Sequence, residues 1–115
     1  MKLPLQIRFL GMEPSEAVEA VVREKAGKLE RFGPDLTSCR VTIELAHKHQ
    51  QQGRRFSARV DVTLPGYELA VDRSHDEDVY VALRDAFDDI RRRIEDTLRR
   101  RRESMIPGAP TADLD

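Results

Sequence analysis

The chain has 115 residues, of which 39% are hydrophobic and 36% are charged, so it has the length of one domain with a thin core and a heavily charged surface. Its formal net charge of −1 excludes a uniformly basic protein, and any attraction to a polyanion must therefore come from where the charges lie. The single cysteine, Cys39, excludes an intramolecular disulfide and no apolar run approaches the ~18 residues that cross a bilayer, which together favour a reducing, cytoplasmic compartment.

The first half of the chain predicts a strand, a helix and a second strand. Apolar and polar residues alternate over residues 3–9, as in a half-buried strand. A helical pattern opens at Ser15 and continues to residue 32, where Gly33-Pro34 stops it because proline cannot continue a helix. Alternation resumes over residues 39–45, so Cys39 lies in a predicted strand, where a small buried thiol is the simplest interpretation.

Two more strands are predicted after a polar loop at residues 47–53. Residues 56–64 give the clearest alternation in the chain. The pair Pro65-Gly66 is typical of a turn. A short fourth strand is predicted after it, at residues 67–71.

A long second helix completes the predicted domain. Ser74 and Glu77 have the spacing of a capping box, which predicts a helix start there. An apolar stripe continues to about Arg102, which gives a helix of about 27 residues and about 40 Å. Residues 104–115 contain two prolines and a glycine and are expected to form a flexible tail.

The resulting order is β-α-β-β-β-α, an α+β fold with a four-stranded sheet in one domain at residues 1–103. Each helix has one apolar face, so we expect both helices to pack on the same face of the sheet. The other face is expected to meet solvent. It carries Arg8, Arg40, Thr42, Glu44, Arg55, Ser57, Arg59 and Asp61.

The second helix carries the strongest charge pattern, with eight arginines against five acids between Arg84 and Arg102. Four of the acids precede an arginine by one helical turn. Such pairs stabilise a solvated helix by ~0.2–0.5 kcal/mol each, which is one interpretation of the whole pattern. The predicted pairs are Asp88–Arg92, Asp89–Arg93, Glu95–Arg99 and Asp96–Arg100.

This pairing leaves Arg84, Arg91, Arg101 and Arg102 without such partners. At about 100° per residue, three of them (residues 84, 91 and 102) share one flank of the helix beside its apolar stripe. The run of four arginines at residues 99–102 also exceeds what the helix dipole needs. We therefore favour a surface for nucleic acid or another polyanion over a merely solvated helix.

The first helix repeats this pattern with Lys25, Lys28 and Arg31 in its second half. The apolar arc of this helix contains Val18, Val21, Val22, Leu29 and Phe32 and is expected to face the core, and Lys25 falls inside it. Either its ammonium extends past the sheet edge with the stem buried, or it points into the groove between the helices, where a phosphate can meet it. Two basic helices side by side would follow a nucleic-acid backbone by its shape rather than by its bases.

Signals for catalysis or metal binding are weak. His47 and His49 lie in a loop and His75 is distant in sequence, so we expect no metal site. Asp88 and Asp89 lack a His or Ser partner for acid–base chemistry. There is no Gly-rich phosphate loop, nucleophile elbow or zinc-ligand spacing. We expect a protein without enzymatic activity and without a cofactor.

Two segments resemble a known family. They are Val22-x-x-Lys25-x-x-Lys28-Leu29 with Phe32 closing the first helix, and Asp78-Val79-Tyr80-Val81-Ala82-Leu83 opening the second. With the element order, they make residues 3–102 similar to the ribosome hibernation-promoting factor and ribosome-associated inhibitor A proteins, the sigma-54 modulation family. The resemblance implies binding to the small subunit of idle ribosomes, in the channel for messenger and transfer RNA, with both helices against ribosomal RNA.

Within this resemblance Lys25, Lys28 and Arg92 match basic family positions, and Arg100 matches one in the terminal stretch. The basic residues of both helices are therefore the candidate contacts to RNA. The candidates are Lys25, Lys28, Arg31, Arg84, Arg91, Arg92, Arg93, Arg99, Arg100 and Arg102.

Two acids depart from the family pattern. Asp89 and Asp96 stand where well-known members tend to carry lysine. Arg91, Arg93 and Arg99 offer positive charge two to four residues from these acids, at other angles around the helix. The departure leaves two alternatives open: a protein-interaction module of this fold that has lost ribosome binding, and an RNA-binding module that acts off the ribosome.

The length favours the short class of the family, which lacks the domain that pairs ribosomes. We expect a translation regulator that blocks the small subunit under stress. We expect it to be monomeric off the ribosome, to take no small-molecule substrate and to have no membrane partner.

Overall fold

The computed structural model describes residues 4–33, 35–47 and 54–105. Its elements are β1 (Leu5–Leu10), α1 (Glu16–Phe32), β2 (Ser38–His47), β3 (Arg54–Leu64), β4 (Tyr67–Asp76) and α2 (Val79–Met105). The predicted β-α-β-β-β-α order and α+β class are confirmed. Neither helix within these ranges combines the length and the apolar character needed to cross a membrane.

The four strands form one mixed sheet in the order β1-β2-β3-β4. β1 and β2 are parallel, since α1 returns the chain to the end of the sheet where β1 began. The other two pairings are antiparallel. Val60 lies opposite Val41 of β2 and opposite Val71 of β4, so the apolar side chains of adjacent strands share one face.

Both helices pack on this apolar face, as predicted. Val22 and Leu29 of α1 are buried against it, and so are Leu83, Ile90 and Ile94 of α2. These side chains form one cluster with the inward residues of the strands, among them Cys39, Val41, Ile43, Ala58, Val60 and Val62. The core is therefore a single, mainly aliphatic layer between the sheet and the helices.

The other face of the sheet meets solvent. Arg59 forms an ion pair with Asp61 there at 3.0 Å, and Arg40 donates a hydrogen bond to Gln6 at 3.1 Å. These groups alternate along the strands with buried or half-buried neighbours, as the period of two predicted.

The ends of α1 follow from the residues that flank it. The Oγ atom of Ser15 accepts a hydrogen bond from the Val18 N–H at 3.2 Å and caps the first turn. The Gly33 N–H donates to the Leu29 carbonyl at 2.8 Å after the last turn. The predicted limits of this helix are confirmed.

The start of α2 differs from the prediction. Ser74 pairs with β3 and lies within β4, so the predicted capping box of Ser74 and Glu77 is wrong. The cap is Asp78, whose Oδ1 atom accepts hydrogen bonds from the N–H groups of Tyr80 and Val81 at 3.0 and 3.3 Å. The helix therefore begins at Val79 and extends beyond Arg102, its predicted end.

Backbone pairing explains this difference. The fourth strand has ten residues, twice the predicted length, because its polar second half continues the ladder with β3 although every side chain there is exposed. Glu77 then takes a positive φ of 66° and its N–H donates to the Arg54 carbonyl at 3.0 Å. This left-handed residue carries the chain from the strand into the helix.

Two predicted segments lie largely outside the described residues. The loop at residues 47–53, with His47 and His49, is bounded by the end of β2 and the start of β3. The tail predicted from residue 104 is described only to residue 105, which is still helical. The character of both segments stays a prediction.

Candidate nucleic-acid interface

The two helices lie side by side, and a groove separates their exposed sides. The guanidinium carbon of Arg91 on α2 is 5.3 Å from the centre of the Phe32 ring, at the end of α1. A nitrogen of Arg101 lies 3.9 Å from the carboxylate of Asp35, just after α1. The C-terminal half of α1 therefore faces the middle and the last turns of α2.

Two open hollows form this groove. The first, of about 350 Å³, is lined by Lys25, Lys28, Leu29, Phe32, Phe87, Asp88 and Arg91. The second, of about 360 Å³, is lined by Phe32, Glu95, Leu98, Arg99 and Arg102. We call the two together the interhelical groove. Five cations and two carboxylates line it, so it is positive although the chain is not.

Lys25 lines the groove between the helices, which is the second of its two predicted placements. It is half-buried and lines the groove with Lys28, which is exposed one turn later. Residues three apart are neighbours on a helix surface, so the two ammonium groups lie along the same wall. The sequence placed Lys25 in the apolar arc because that wall borders the buried stripe of α1.

Two arginines on the groove flank of α2, Arg84 and Arg91, have acidic partners, although neither partner lies one turn earlier as in the predicted pairs. Arg84 bonds to Asp85 at 3.1 Å, and Nε of Arg91 lies 3.8 Å from Glu95. The side chains of both arginines are about 60% exposed. Exposed pairs of this kind contribute ~0–1 kcal/mol. A phosphate can therefore replace these carboxylates at little cost.

The ion pairs within α2 also differ from those predicted. Arg92 bonds to Asp89 at 3.1 Å and Arg99 to Asp96 at 2.6 Å, each three residues apart instead of four. Asp89 also pairs with Arg73 of β4. None of the four predicted pairs is formed in the described part of the chain, because Asp89 turns towards the sheet and the long arginine side chains reach back over three residues.

Arg93 faces the opposite flank of the helix and contacts β4. Its guanidinium donates a hydrogen bond to the Ala70 carbonyl at 3.0 Å. Seven residues later, Arg100 falls on the same side of the helix and is exposed. We call this side the β4 flank, and with Arg73 and Asp89 it is directed towards the sheet and away from the groove.

The structure therefore divides the ten candidates into three groups. Lys25, Lys28, Arg91, Arg99 and Arg102 line the groove, and Arg84 shares the flank of Arg91. Arg31 and Arg92 are exposed on the outer sides of their helices. Arg93 and Arg100 lie on the β4 flank.

Phe32 is a groove residue that the sequence argument assigned to the core. The residue is 36% exposed and lines both hollows. A signal was available: Phe32 follows Lys28 by four residues and Lys25 by seven, and these spacings place all three on one side of a helix.

Elsewhere the described residues offer little chemistry. They contain no group of three or more His, Cys, Asp or Glu residues that could hold a metal ion. Burial raises the pKa of the Cys39 thiol to about 12, so this buried group is protonated at neutral pH. A hollow of about 440 Å³ on the outer face of the sheet includes Arg59 and Asp61, which bond to each other.

The fold and the groove define a class: a small α+β domain with a positive cleft between two helices. The family model described as "Sigma 54 modulation protein / S30EA ribosomal protein" matches residues 5–102. The chain belongs to this family.

Solved structures share the fold. The N-terminal domain of Protein Y from Thermus thermophilus is similar with a TM-score of 0.68 and 23% identity, over 83% of this chain and 99% of that domain. A ribosomal subunit interface protein from Coxiella burnetii is similar with a TM-score of 0.67 and 13% identity, over 83% of this chain and 97% of that one. No curated protein matches the chain.

Proposed function

We propose that this protein is a non-enzymatic translation regulator that binds the small subunit of idle ribosomes under stress. The observation that carries the proposal is the interhelical groove, in which five cations of a chain with net charge −1 are brought together. Membership of a family whose description names a ribosomal protein supports it. The similar Coxiella protein is titled a ribosomal subunit interface protein, which supports the same partner.

The proposed contacts are to the phosphates of ribosomal RNA. Lysine binds phosphate as a point charge and arginine as a planar fork, and the groove holds both. On its outer side α2 adds Arg92, whose side chain is 73% exposed. Neutralising phosphates releases counterions, so we expect the affinity to fall steeply as the salt concentration rises.

The acids that depart from the family pattern are compatible with this binding. Asp89 lies on the β4 flank, is 23% exposed and has two arginine partners, so its charge is largely balanced away from the groove. Asp96 is balanced by Arg99. Within the proposal, neither carboxylate opposes a phosphate in the groove.

Binding to the subunit would regulate translation by occupancy. The protein would fill the channel that messenger and transfer RNA use and need no catalytic group to do so. It would act in the cytoplasm as a monomer with the subunit and its RNA as partners.

Sedimentation with purified small ribosomal subunits at low salt tests the proposal. We expect the wild-type chain to move with the subunits, and messenger and transfer RNA to displace it. The variant Lys25→Glu/Lys28→Glu is expected to lose affinity on the order of tenfold or more and to show a shallower salt dependence. A wild-type protein that stays at the top of the gradient contradicts the proposal.

Arg8→Glu/Arg40→Glu is the matched control. It makes the same change in net charge on the outer face of the sheet, where both arginines are exposed. We expect this variant to sediment like the wild type. Equal losses in the two variants would mean that net charge rather than the groove decides binding.

A protein-interaction module is the second candidate, favoured by the carboxylates that accompany Arg84 and Arg91. Absence of subunit binding together with capture of one dominant protein partner would support it. A third candidate is an RNA-binding module that acts off the ribosome. It requires short structured RNAs to compete well with ribosomes for the protein.

A further inference from the structure

The pair of Phe32 and Arg91 at the centre of the groove has a geometry that phosphate binding does not require. The guanidinium lies over the aromatic ring at 5.3 Å, in the range of a cation–π contact. Residue Phe32 is 36% exposed and the side chain of Arg91 is 60% exposed. A planar cation and a planar ring are thus held together at the surface.

The hollow around this pair combines an apolar floor with a charged rim. Leu29, Phe32 and Phe87 supply the apolar surface, and Lys25 and Lys28 the charges of one wall. A nucleotide has the complementary composition, a flat base with π faces joined to an anionic phosphate. The hollow has a volume of about 350 Å³ and is open to solvent, so one base can enter it from the side.

Asp88 lies in the same hollow. A carboxylate only accepts hydrogen bonds, and the amino groups of bases are donors. A phosphate alone would be repelled by this group, whereas a base with an amino edge can use it. The composition of the hollow therefore fits a whole nucleotide better than a phosphate.

We propose that an unpaired base of RNA stacks on the Phe32–Arg91 pair while Lys25 and Lys28 bind the phosphates that flank it. The inference rests on the proposed function for its class of ligand, which is RNA. It adds that one base, outside any RNA duplex, binds in the groove. Bases in single-stranded segments can be turned outward and stacked on aromatic rings or guanidinium planes, whereas bases in a duplex are held in the stack.

Binding of the full-length chain to a 12-nucleotide unpaired RNA with a single 2-aminopurine tests this inference, with the same RNA as a perfect duplex for comparison. We expect tighter binding to the single strand and a change of 2-aminopurine fluorescence on stacking. Phe32→Leu is expected to weaken single-strand binding roughly 5- to 100-fold, as for loss of one stacked base. Equal affinity for strand and duplex, without a fluorescence change, overturns the inference.

Arg91→Lys and Tyr80→Leu make the comparison specific. Arg91→Lys keeps the charge but removes the planar group, so we expect weaker single-strand binding, no fluorescence change and an unaltered salt dependence. Tyr80 is an aromatic residue of α2 with 45% exposure, about 16 Å from Arg91 along the helix, and Tyr80→Leu is expected to bind like the wild type. Circular dichroism checks that each variant is folded. Wild-type binding by a folded Arg91→Lys overturns the inference even where Phe32→Leu is unstable.

The subunit sedimentation distinguishes this inference from the proposed function. If the wild type binds subunits while Phe32→Leu and Arg91→Lys bind single strands as tightly as Tyr80→Leu, the function stands and base stacking fails. If the wild type binds the single strand through Phe32 but never moves with subunits, the ribosomal function fails and base stacking stands.

Discussion

The two flanks of α2 have similar compositions and different contacts. On the groove flank, Arg91 and Glu95 form a loose, exposed pair beside Phe32. On the β4 flank, Asp89 binds Arg73 and Arg93 donates to the Ala70 carbonyl. One flank thus leaves its charges exposed and the other uses them to fix the helix to the sheet, so a count of arginines cannot measure a binding surface.

The largest expected effect comes from the buried stripe that both flanks share. Ile90 is fully buried between helix and sheet. Ile90→Ala leaves a cavity and is expected to lower the free energy of unfolding by about 2–5 kcal/mol, measured by urea denaturation. Leu98→Ala, at a half-buried position of the same helix, is the control and is expected to cost less. An equal loss of unfolding free energy in the two variants would contradict the deeper burial of Ile90.

Charge reversal on the groove flank is expected to act on binding and hardly on stability. Arg91→Glu removes an exposed cation and places a second acid beside Glu95. We expect the affinity for small subunits to fall on the order of tenfold at low salt, with less than about 1 kcal/mol change in the free energy of unfolding. Arg93→Glu, measured in parallel on folded protein, is expected to bind more tightly than Arg91→Glu. The reverse order would assign the interface to the β4 flank.

The smallest effect is expected on the β4 flank. Arg93→Gln shortens the side chain that donates to the Ala70 carbonyl. A hydrogen bond from a charged group at an exposed site is worth roughly 1 kcal/mol, and we expect a loss of that order in the free energy of unfolding. We also expect faster amide hydrogen exchange in β4 of this variant. Arg92→Gln, which loses an exposed ion pair with Asp89 within the helix, provides the comparison. Identical stability and exchange in the two variants would contradict a structural role of Arg93.

Much of the fold was predictable because its signals are local. Ser15 and Gly33 mark the ends of α1 by their own hydrogen-bonding and conformational properties, and the structure has the helix between them. The alternation in β2 and β3 likewise predicted which side chains are buried. The second half of β4 could not be predicted in this way, because its exposed polar residues are held by backbone pairing to β3 rather than by an apolar pattern.

The candidate site was predicted in part. Helical spacing alone put Arg84, Arg91 and Arg102 on one flank, and it gave the groove as one of two placements for Lys25. It could not choose the partners of Asp89, since Arg73 comes from a strand 16 residues earlier in the sequence. It also assigned Phe32 to the core, because an apolar residue on the border of a stripe is buried or exposed according to what packs over it.

The contacts of Arg73 and Arg93 have a further consequence for how copies of this protein behave at high concentration. β4 is the last strand of the sheet and has one strand neighbour, β3. Unpaired edges of this length are sites where strands of other molecules can add and start aggregation, and charged side chains at the edge oppose it. Arg93 occupies an edge carbonyl at Ala70 and the Arg73–Asp89 pair brings charge close by. Arg73 and Arg93 therefore oppose the addition of a further strand at the β4 edge.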